Sequence, residues 1–103
     1  MKILQNTSNV VAMMYKVIIT PEAERDILKL AKTEPKAFLK VQKLLNELKE
    51  HPKTGTGHPE PLKGFSDNRW SRRISKKHRL IYGIYDTEIV VLVFSSYGHY
   101  SDK

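Results

Sequence analysis

Residues 70–82 read WSRRISKKHRLIY, and the prediction of the fold class rests mainly on this segment. Two short runs with aromatic and β-branched residues flank Lys76 and Lys77, a pattern typical of two strands joined by a tight connection. A third run, 89–95, follows a second tight connection at Asp86 and Thr87. Because neighbouring strands usually pair, we expect an antiparallel meander of strands 70–75, 79–85 and 89–95.

The part of the chain before the meander predicts one strand and two helices. Residues 15–20, YKVIIT, favour a strand, and Thr20 can cap a helix that has Pro21 at its first position. Pro35 disfavours the helical conformation at Glu34, so a second helix begins there. Apolar side chains recur at helical spacing in both segments, namely Ala23, Ile27, Leu30 and Ala31, then Phe38, Val41, Leu44, Leu45 and Leu48. The order βααβββ predicts an α+β domain, in which a two-helix hairpin packs on one face of a small antiparallel-rich sheet.

Two further segments, an internal loop and the N-terminus, complete the predicted domain organisation. Residues 51–69 contain three prolines and three glycines, so we expect a long loop that is either functional or disordered. Residues 1–13 are predicted to be a flexible N-terminal extension, and residues 14–103 to form a single domain. Met14 precedes the first strand, and mass spectrometry of the natively expressed protein would show whether it is the true start.

Composition narrows the class of partner. The chain of 103 residues has a net charge of +7 and a pI near 9.7, which favours a polyanionic partner such as RNA, DNA, an acidic protein or an anionic membrane. It has no cysteine, which excludes a disulfide framework, a thiolate metal site and a cysteine nucleophile. No apolar run is long enough to span a bilayer, and the first residues make a poor signal peptide. We therefore expect a cytoplasmic protein.

The positive charge is concentrated in the predicted hairpin. Residues 69–79 contain six Lys or Arg side chains and no acid. Helices on one face of the sheet would leave the other face free to bind several phosphates, for which the arginine fork is well suited. Whether Arg73 and Arg79 share that face depends on the number of residues in the hairpin loop. An ordinary solvated face is the alternative. The cations that we predict to contact phosphate here are Arg72, Arg73, Lys76 and Lys77.

Three more side chains suggest chemistry. Glu60 is held between two prolines and is a candidate general base, although an ordinary surface glutamate is favoured from this tetrapeptide alone. His99 and Tyr100 follow the last strand. Metal-ligand spacing, serine triads and phosphate loops have no match. A carboxylate, a histidine and arginines are sufficient for RNA cleavage without a metal, in which the 2′-hydroxyl attacks the neighbouring phosphorus.

Trp70 and Tyr82 are better explained as core or cross-strand residues than as base-stacking platforms.

Four segments follow one another along the chain, namely GTGHPEPLKG, WSRRI, HRLIY and a terminal HY. Over roughly residues 15–100, the chain resembles the YoeB branch of the RelE-type toxins, and these four segments carry the resemblance. The resemblance implies a RelE-like α+β fold and a ribosome-dependent endoribonuclease that cleaves messenger RNA in the A site, with no metal or cofactor. It implies Glu60 as general base, Arg79 as stabiliser of the phosphorane and His99 as general acid, although the sequence leaves open which of Glu60 and His99 takes the proton. Tyr100 would orient the substrate or stack on a base, and Lys63 and Arg73 would hold phosphates.

The resemblance also implies partners. We expect a cognate antitoxin of the YefM or Phd type, contacts with messenger and ribosomal RNA, and contact with operator DNA only through the antitoxin complex. Two alternatives remain at this point. One is a basic RNA- or ribosome-binding module without catalysis, and the other is a toxin of the same fold that acts on another target, such as DNA gyrase.

Overall fold

A computed structural model describes residues 14–65 and 67–98, which form two helices and a five-stranded sheet. The sheet order is β1-β5-β4-β3-β2; β1 runs parallel to β5, and every other pair is antiparallel. The predicted α+β class is therefore confirmed. The elements are β1 (Lys16–Ile19), α1 (Pro21–Thr33), α2 (Pro35–Leu48), β2 (Glu60–Pro61), β3 (Arg69–Arg73), β4 (Arg79–Tyr85) and β5 (Val90–Ser95).

Local signals place both helix starts where the sequence predicts them. The Thr20 hydroxyl accepts a hydrogen bond from the backbone N–H of Ala23 at 3.2 Å, and Pro21 occupies the first helical position. Glu34 has φ −142° and ψ 77°, outside the helical region, because Pro35 follows it. A single non-helical residue therefore separates the two helices.

The hydrophobic core lies between the helices and one face of the sheet. Tyr82 is fully buried there and is paired with Trp70 across β3 and β4, which confirms the prediction that these aromatics are core and cross-strand residues. Burying such side chains is the main favourable contribution to folding. The fully buried apolar residues include Leu30, Val41, Leu44, Leu48, Leu80, Val91 and Val93.

The register of the hairpin settles which cations share a face. Arg73 pairs directly with Arg79, and residues 74–78 form the loop, so both arginines lie on the same side of the sheet. Arg72 pairs with Leu80, a core residue, and therefore points to the helices. We call the side that carries Arg73 and Arg79, opposite the helices, the open face.

The loop predicted at residues 51–69 needs a correction, since it contains the short strand β2. Glu60 pairs with Ser71 and Pro61 with Trp70, so the observed order is βααββββ. A proline is tolerated because β2 is the edge strand. Gly57 also lies against β3: its carbonyl accepts from the Arg73 N–H at 2.6 Å, and a Cβ there would be 2.8 Å from the Arg73 carbonyl oxygen.

Neither helix within residues 14–65 and 67–98 is long and apolar enough to cross a membrane. Across the same residues, His, Asp and Glu side chains form no cluster of three or more that could hold a metal ion. The predicted extension of residues 1–13 lies outside the described part of the chain.

Candidate active site

Glu60 and Arg79 meet on the open face although they belong to different strands. Arg79 Nη1 lies 3.7 Å from Glu60 Oε2. Because β3 separates β2 from β4, the arginine must extend over β3, where Ser71 presents only a small side chain. Ser71 is fully buried even though it is on the open face, which agrees with its being covered in this way. The Glu60 side chain is 59% exposed and the Arg79 side chain 19%, so the carboxylate remains accessible.

A cationic cleft adjoins this pair. It has a volume of about 310 Å³ and is lined by Arg73, Ser75, Lys76 and Arg79. Guanidinium groups bind phosphate through two parallel N–H···O bonds, and a second arginine and a lysine beside them add positive charge. Arg73, Lys76 and Arg79 therefore form one group on the open face, with Glu60 at its edge.

Arg72 is not part of this group, and its predicted role in phosphate binding is wrong. Its side chain is 0% exposed and forms an ion pair with Glu47, with Nη1 2.8 Å from Oε1. Its Nε donates to the Tyr82 hydroxyl at 3.1 Å. The remaining N–H groups donate to the backbone carbonyls of His51, Thr54 and Thr56. A guanidinium with all its donors used inside the protein has none left for RNA.

The buried arginine holds the loop that leads to β2. Glu47 also accepts hydrogen bonds from the N–H and the hydroxyl of Thr56, at 2.9 and 2.6 Å. Burial would raise the pKa of Glu47, but the bonds from Thr56 and Arg72 outweigh it, and the pKa is lowered. Glu47 is thus ionised and holds Thr56, while Arg72 holds the carbonyls of His51 and Thr54. Arg72 therefore positions the backbone before Glu60 instead of contacting substrate.

The other predicted residues are distributed as follows. Lys63 is exposed in the loop after β2. Lys77 is also exposed, but its Nζ lies 3.8 Å from Glu34 Oε2, and it does not line the cleft. His99 and Tyr100 lie outside the described residues. The chain is described as far as Gly98, whose carbonyl accepts from the Arg79 N–H at 3.2 Å.

Sequence reasoning missed Arg69, which is also on the open face. Its guanidinium carbon lies 4.0 Å from the centre of the Phe94 ring, and its Nη2 pairs with Asp67 Oδ2 at 3.0 Å. The hydrogen bond from Arg69 lowers the pKa of Asp67, against the effect of burial. The signal for Arg69 was alternation, since residues 69, 71 and 73 of one strand share a face. A cavity of about 450 Å³ beside it is lined by Thr20, Pro21, Glu22, Arg69, Ile81, Phe94 and Ser95.

Comparison with known proteins identifies the family. Residues 19–100 match the family described as the YoeB-like toxin of bacterial type II toxin-antitoxin systems. The chain is 37% identical over 79 residues to toxin YoeB of Mycobacterium bovis, covering 77% of this chain and 93% of that protein.

Solved structures agree with this assignment. A YoeB/ParE toxin from Agrobacterium tumefaciens superimposes with a TM-score of 0.75 at 32% identity, covering 82% of this chain and 99% of the other. A chain of the heterotetrameric YoeB-YefM toxin-antitoxin complex from Staphylococcus aureus gives 0.70 at 29% identity, covering 84% and 98%. The chain therefore belongs to the YoeB-like toxin family of bacterial type II toxin-antitoxin systems.

Proposed function

We propose that this toxin is an endoribonuclease that cleaves messenger RNA in the ribosomal A site and so inhibits translation. The observation that carries the proposal is the Glu60–Arg79 pair at 3.7 Å beside a cationic cleft. A carboxylate next to fixed positive charge is the arrangement that metal-free attack by a 2′-hydroxyl requires. Family membership supports the same reaction class.

In the proposed reaction, Glu60 accepts the proton of the 2′-hydroxyl while that oxygen attacks the adjacent phosphorus. The pentacoordinate phosphorane carries additional negative charge, which the Arg79 guanidinium stabilises. The bond from phosphorus to the 5′-oxygen then breaks, and His99 donates a proton to the departing oxygen. The products are a 2′,3′-cyclic phosphate and a 5′-hydroxyl. Tyr100 orients the substrate.

The remaining cations of the open face hold the RNA. Arg73 and Lys76 line the cleft next to Arg79, so phosphates on either side of the cleaved bond have partners there. Lys63 adds an exposed charge after β2. Substrate phosphate would replace Glu60 as the partner of Arg79, which frees the carboxylate to act as a base.

The test is primer extension on a defined message in purified programmed ribosomes, with a control without ribosomes. Glu60→Gln removes the base and should slow cleavage by about 10²- to 10⁴-fold, and Arg79→Gln should slow it by roughly 10²- to 10³-fold. His99→Ala tests the acid. Arg25→Gln is the matched control for charge, because Arg25 is exposed on α1 and away from the cleft. Full cleavage by Glu60→Gln would contradict the proposed base.

The same experiment addresses the alternative of a basic module that binds RNA or ribosomes without cleaving. The cationic open face alone would be sufficient for that activity. In that case, the wild-type chain would leave the message intact while still binding ribosomes, and Glu60→Gln would change nothing.

We also propose a cognate antitoxin as the protein partner, since the solved Staphylococcus aureus relative is a complex of YoeB with YefM. A partly disordered antitoxin segment would order on the basic surface, in the cytoplasm where both chains are made. Operator DNA would be contacted only through that complex. Addition of the purified antitoxin should abolish cleavage at a stoichiometric ratio; cleavage that continues at saturating antitoxin would contradict this part of the proposal.

A further inference from the structure

His78 is a buried side chain in the loop between β3 and β4, immediately before Arg79. Its side chain is 3% exposed. The ring centre lies 4.3 Å from that of Tyr97, and Lys29 Nζ lies 4.2 Å from the Tyr97 ring centre. The imidazole is therefore enclosed between the helices and the segment that follows β5, and it does not face the cleft described above.

The two ring nitrogens have defined and opposite roles. Nδ1 accepts a hydrogen bond from the backbone N–H of Gly98 at 2.8 Å. A backbone N–H can only donate, so Nδ1 carries no proton and Nε2 carries the hydrogen of the neutral ring. Nε2 lies 2.8 Å from Glu34 Oε2 and donates to it. This bond is the main reason why the pKa of Glu34 is lowered, although burial opposes it.

Gly98 is held through both of its backbone polar groups. Its N–H donates to His78 Nδ1, and its carbonyl accepts from the Arg79 N–H at 3.2 Å. Its φ is +87°, a left-handed conformation that glycine adopts without strain. Two consecutive residues of the hairpin thus fix the point from which the chain continues to His99. The freedom that glycine would otherwise bring to this position is removed by these two bonds.

We propose that His78 is a positioning residue for the cleavage site. Through Nδ1 it fixes the Gly98 backbone against that of Arg79, and so it sets where the chain departs toward His99; Glu34 holds the ring in the required tautomer. The inference rests on the proposed function, because its effect on cleavage requires His99 to be the general acid and Arg79 to stabilise the phosphorane. Fixing Gly98 gives the chain that continues to His99 a defined starting point relative to Arg79. The competing explanation is a core histidine that contributes only stability.

Two substitutions separate these explanations, because each retains one of the two hydrogen bonds. The Oδ1 of asparagine can take the place of Nδ1 and accept from Gly98, whereas the amide nitrogen of glutamine can take the place of Nε2 and donate to Glu34. Each variant loses one bond, so a role limited to stability predicts similar losses in both. We therefore compare His78→Asn with His78→Gln by thermal unfolding, by hydrogen exchange of the Gly98 amide and by cleavage on programmed ribosomes at saturating toxin.

We expect His78→Asn to keep the Gly98 amide protected and to cleave within a few-fold of wild type. His78→Gln should lose that protection and cleave about tenfold to a hundredfold more slowly at saturation, with ribosome affinity unchanged. Equal cleavage by the two variants, or slow cleavage by His78→Gln with the Gly98 amide still protected, would overturn the inference.

A measurement on the wild-type chain keeps the inference testable if either variant does not fold. Nitrogen-15 NMR of the histidine side chains should show the Nε2–H tautomer for His78 with an unprotonated Nδ1. A protonated Nδ1 would overturn the inference. If the wild-type toxin does not cleave at all, the proposed nuclease fails, but the Gly98 exchange and the tautomer still decide whether His78 fixes this backbone.

Discussion

Replacement of Arg72 by methionine provides the strongest test of the structure, because its sequence neighbour Arg73 serves as a matched control. Both are arginines of β3, and they point to opposite faces of the sheet. Arg72 is fully buried, whereas Arg73 is exposed on the open face. The two substitutions remove the same side chain and the same charge, so their difference reports the environment alone.

The expected loss of stability follows from the groups that Arg72→Met would leave without a hydrogen-bond or ion-pair partner. Glu47 would lose its ion pair while its side chain is only 23% exposed, and the carbonyls of residues 51, 54 and 56 would lose their donor. Tyr82 would keep its bond to the Pro52 carbonyl at 2.8 Å. Removing one partner of a buried ion pair costs about 3–5 kcal/mol. Because Glu47 keeps both bonds from Thr56, we expect a loss of about 3 kcal/mol.

Urea unfolding followed by circular dichroism measures this loss, and thermal unfolding provides a second estimate. A loss of about 3 kcal/mol lowers the Tm of a domain of this size by about 12 °C or more. Arg73→Met should change stability by less than about 0.5 kcal/mol, because Arg73 is exposed and forms no ion pair within the described residues. Equal stability of the two variants would show that the Arg72 network is not the anchor of the loop before Glu60.

Three further outcomes follow from the structure. The pKa values of Glu34 and Glu47 are lowered on folding, so the unfolded chain binds more protons in acid than the folded chain does. The stability that these two carboxylates contribute should therefore be complete above a pH of about 4.5 and fall progressively below it. A plot of Tm against pH should be flatter for Glu47→Gln than for the wild-type chain. In urea unfolding, Gly57→Ala should lower the free energy of unfolding by about 1 kcal/mol or more beyond the loss caused by Gly64→Ala. Both glycines have positive φ, but of the two only Gly57 would place the new Cβ against backbone atoms. Equal losses would argue against the close approach of Gly57 to β3. Ribosome binding should weaken as salt rises, and Arg73→Gln should reduce the slope of log affinity against log salt by roughly one, whereas an unchanged slope would show that Arg73 contacts no phosphate.

The elements were predictable wherever their signals are local. Thr20 followed by Pro21 is sufficient to start α1, and Pro35 is sufficient to separate the helices, since both effects act within a few residues. The strand β2 was not predictable in this way, because Glu60 and Pro61 form a strand only through their pairing with β3. The family resemblance identified Glu60 and Arg79 as site residues. The distance between their side chains, however, depends on the order of β2, β3 and β4 in the sheet.

Arg72 and Arg73 show where sequence reasoning reaches its limit. They are identical and adjacent, and strand alternation requires that one of them point to the core, but it does not say which. A run of positive charge favours the solvated interpretation for both residues. The choice is decided by Glu47, which is distant in sequence and supplies the charge that Arg72 needs when buried. His78 was unpredictable for the same reason, since its partners Glu34 and Gly98 are far away along the chain.

The parallel pairing of β1 with β5 has a consequence for how the toxin is made. In the described part of the chain, the ladder of β1 is formed with β5 alone, and β5 lies between β1 and β4. During synthesis β1 and both helices therefore emerge long before the strand that joins them to the hairpin. Pairing between distant segments is slow and must await the later strand. We expect the nascent chain to remain incompletely folded until β5 has emerged and can pair with both β1 and β4, because no earlier strand joins these two parts of the described sheet.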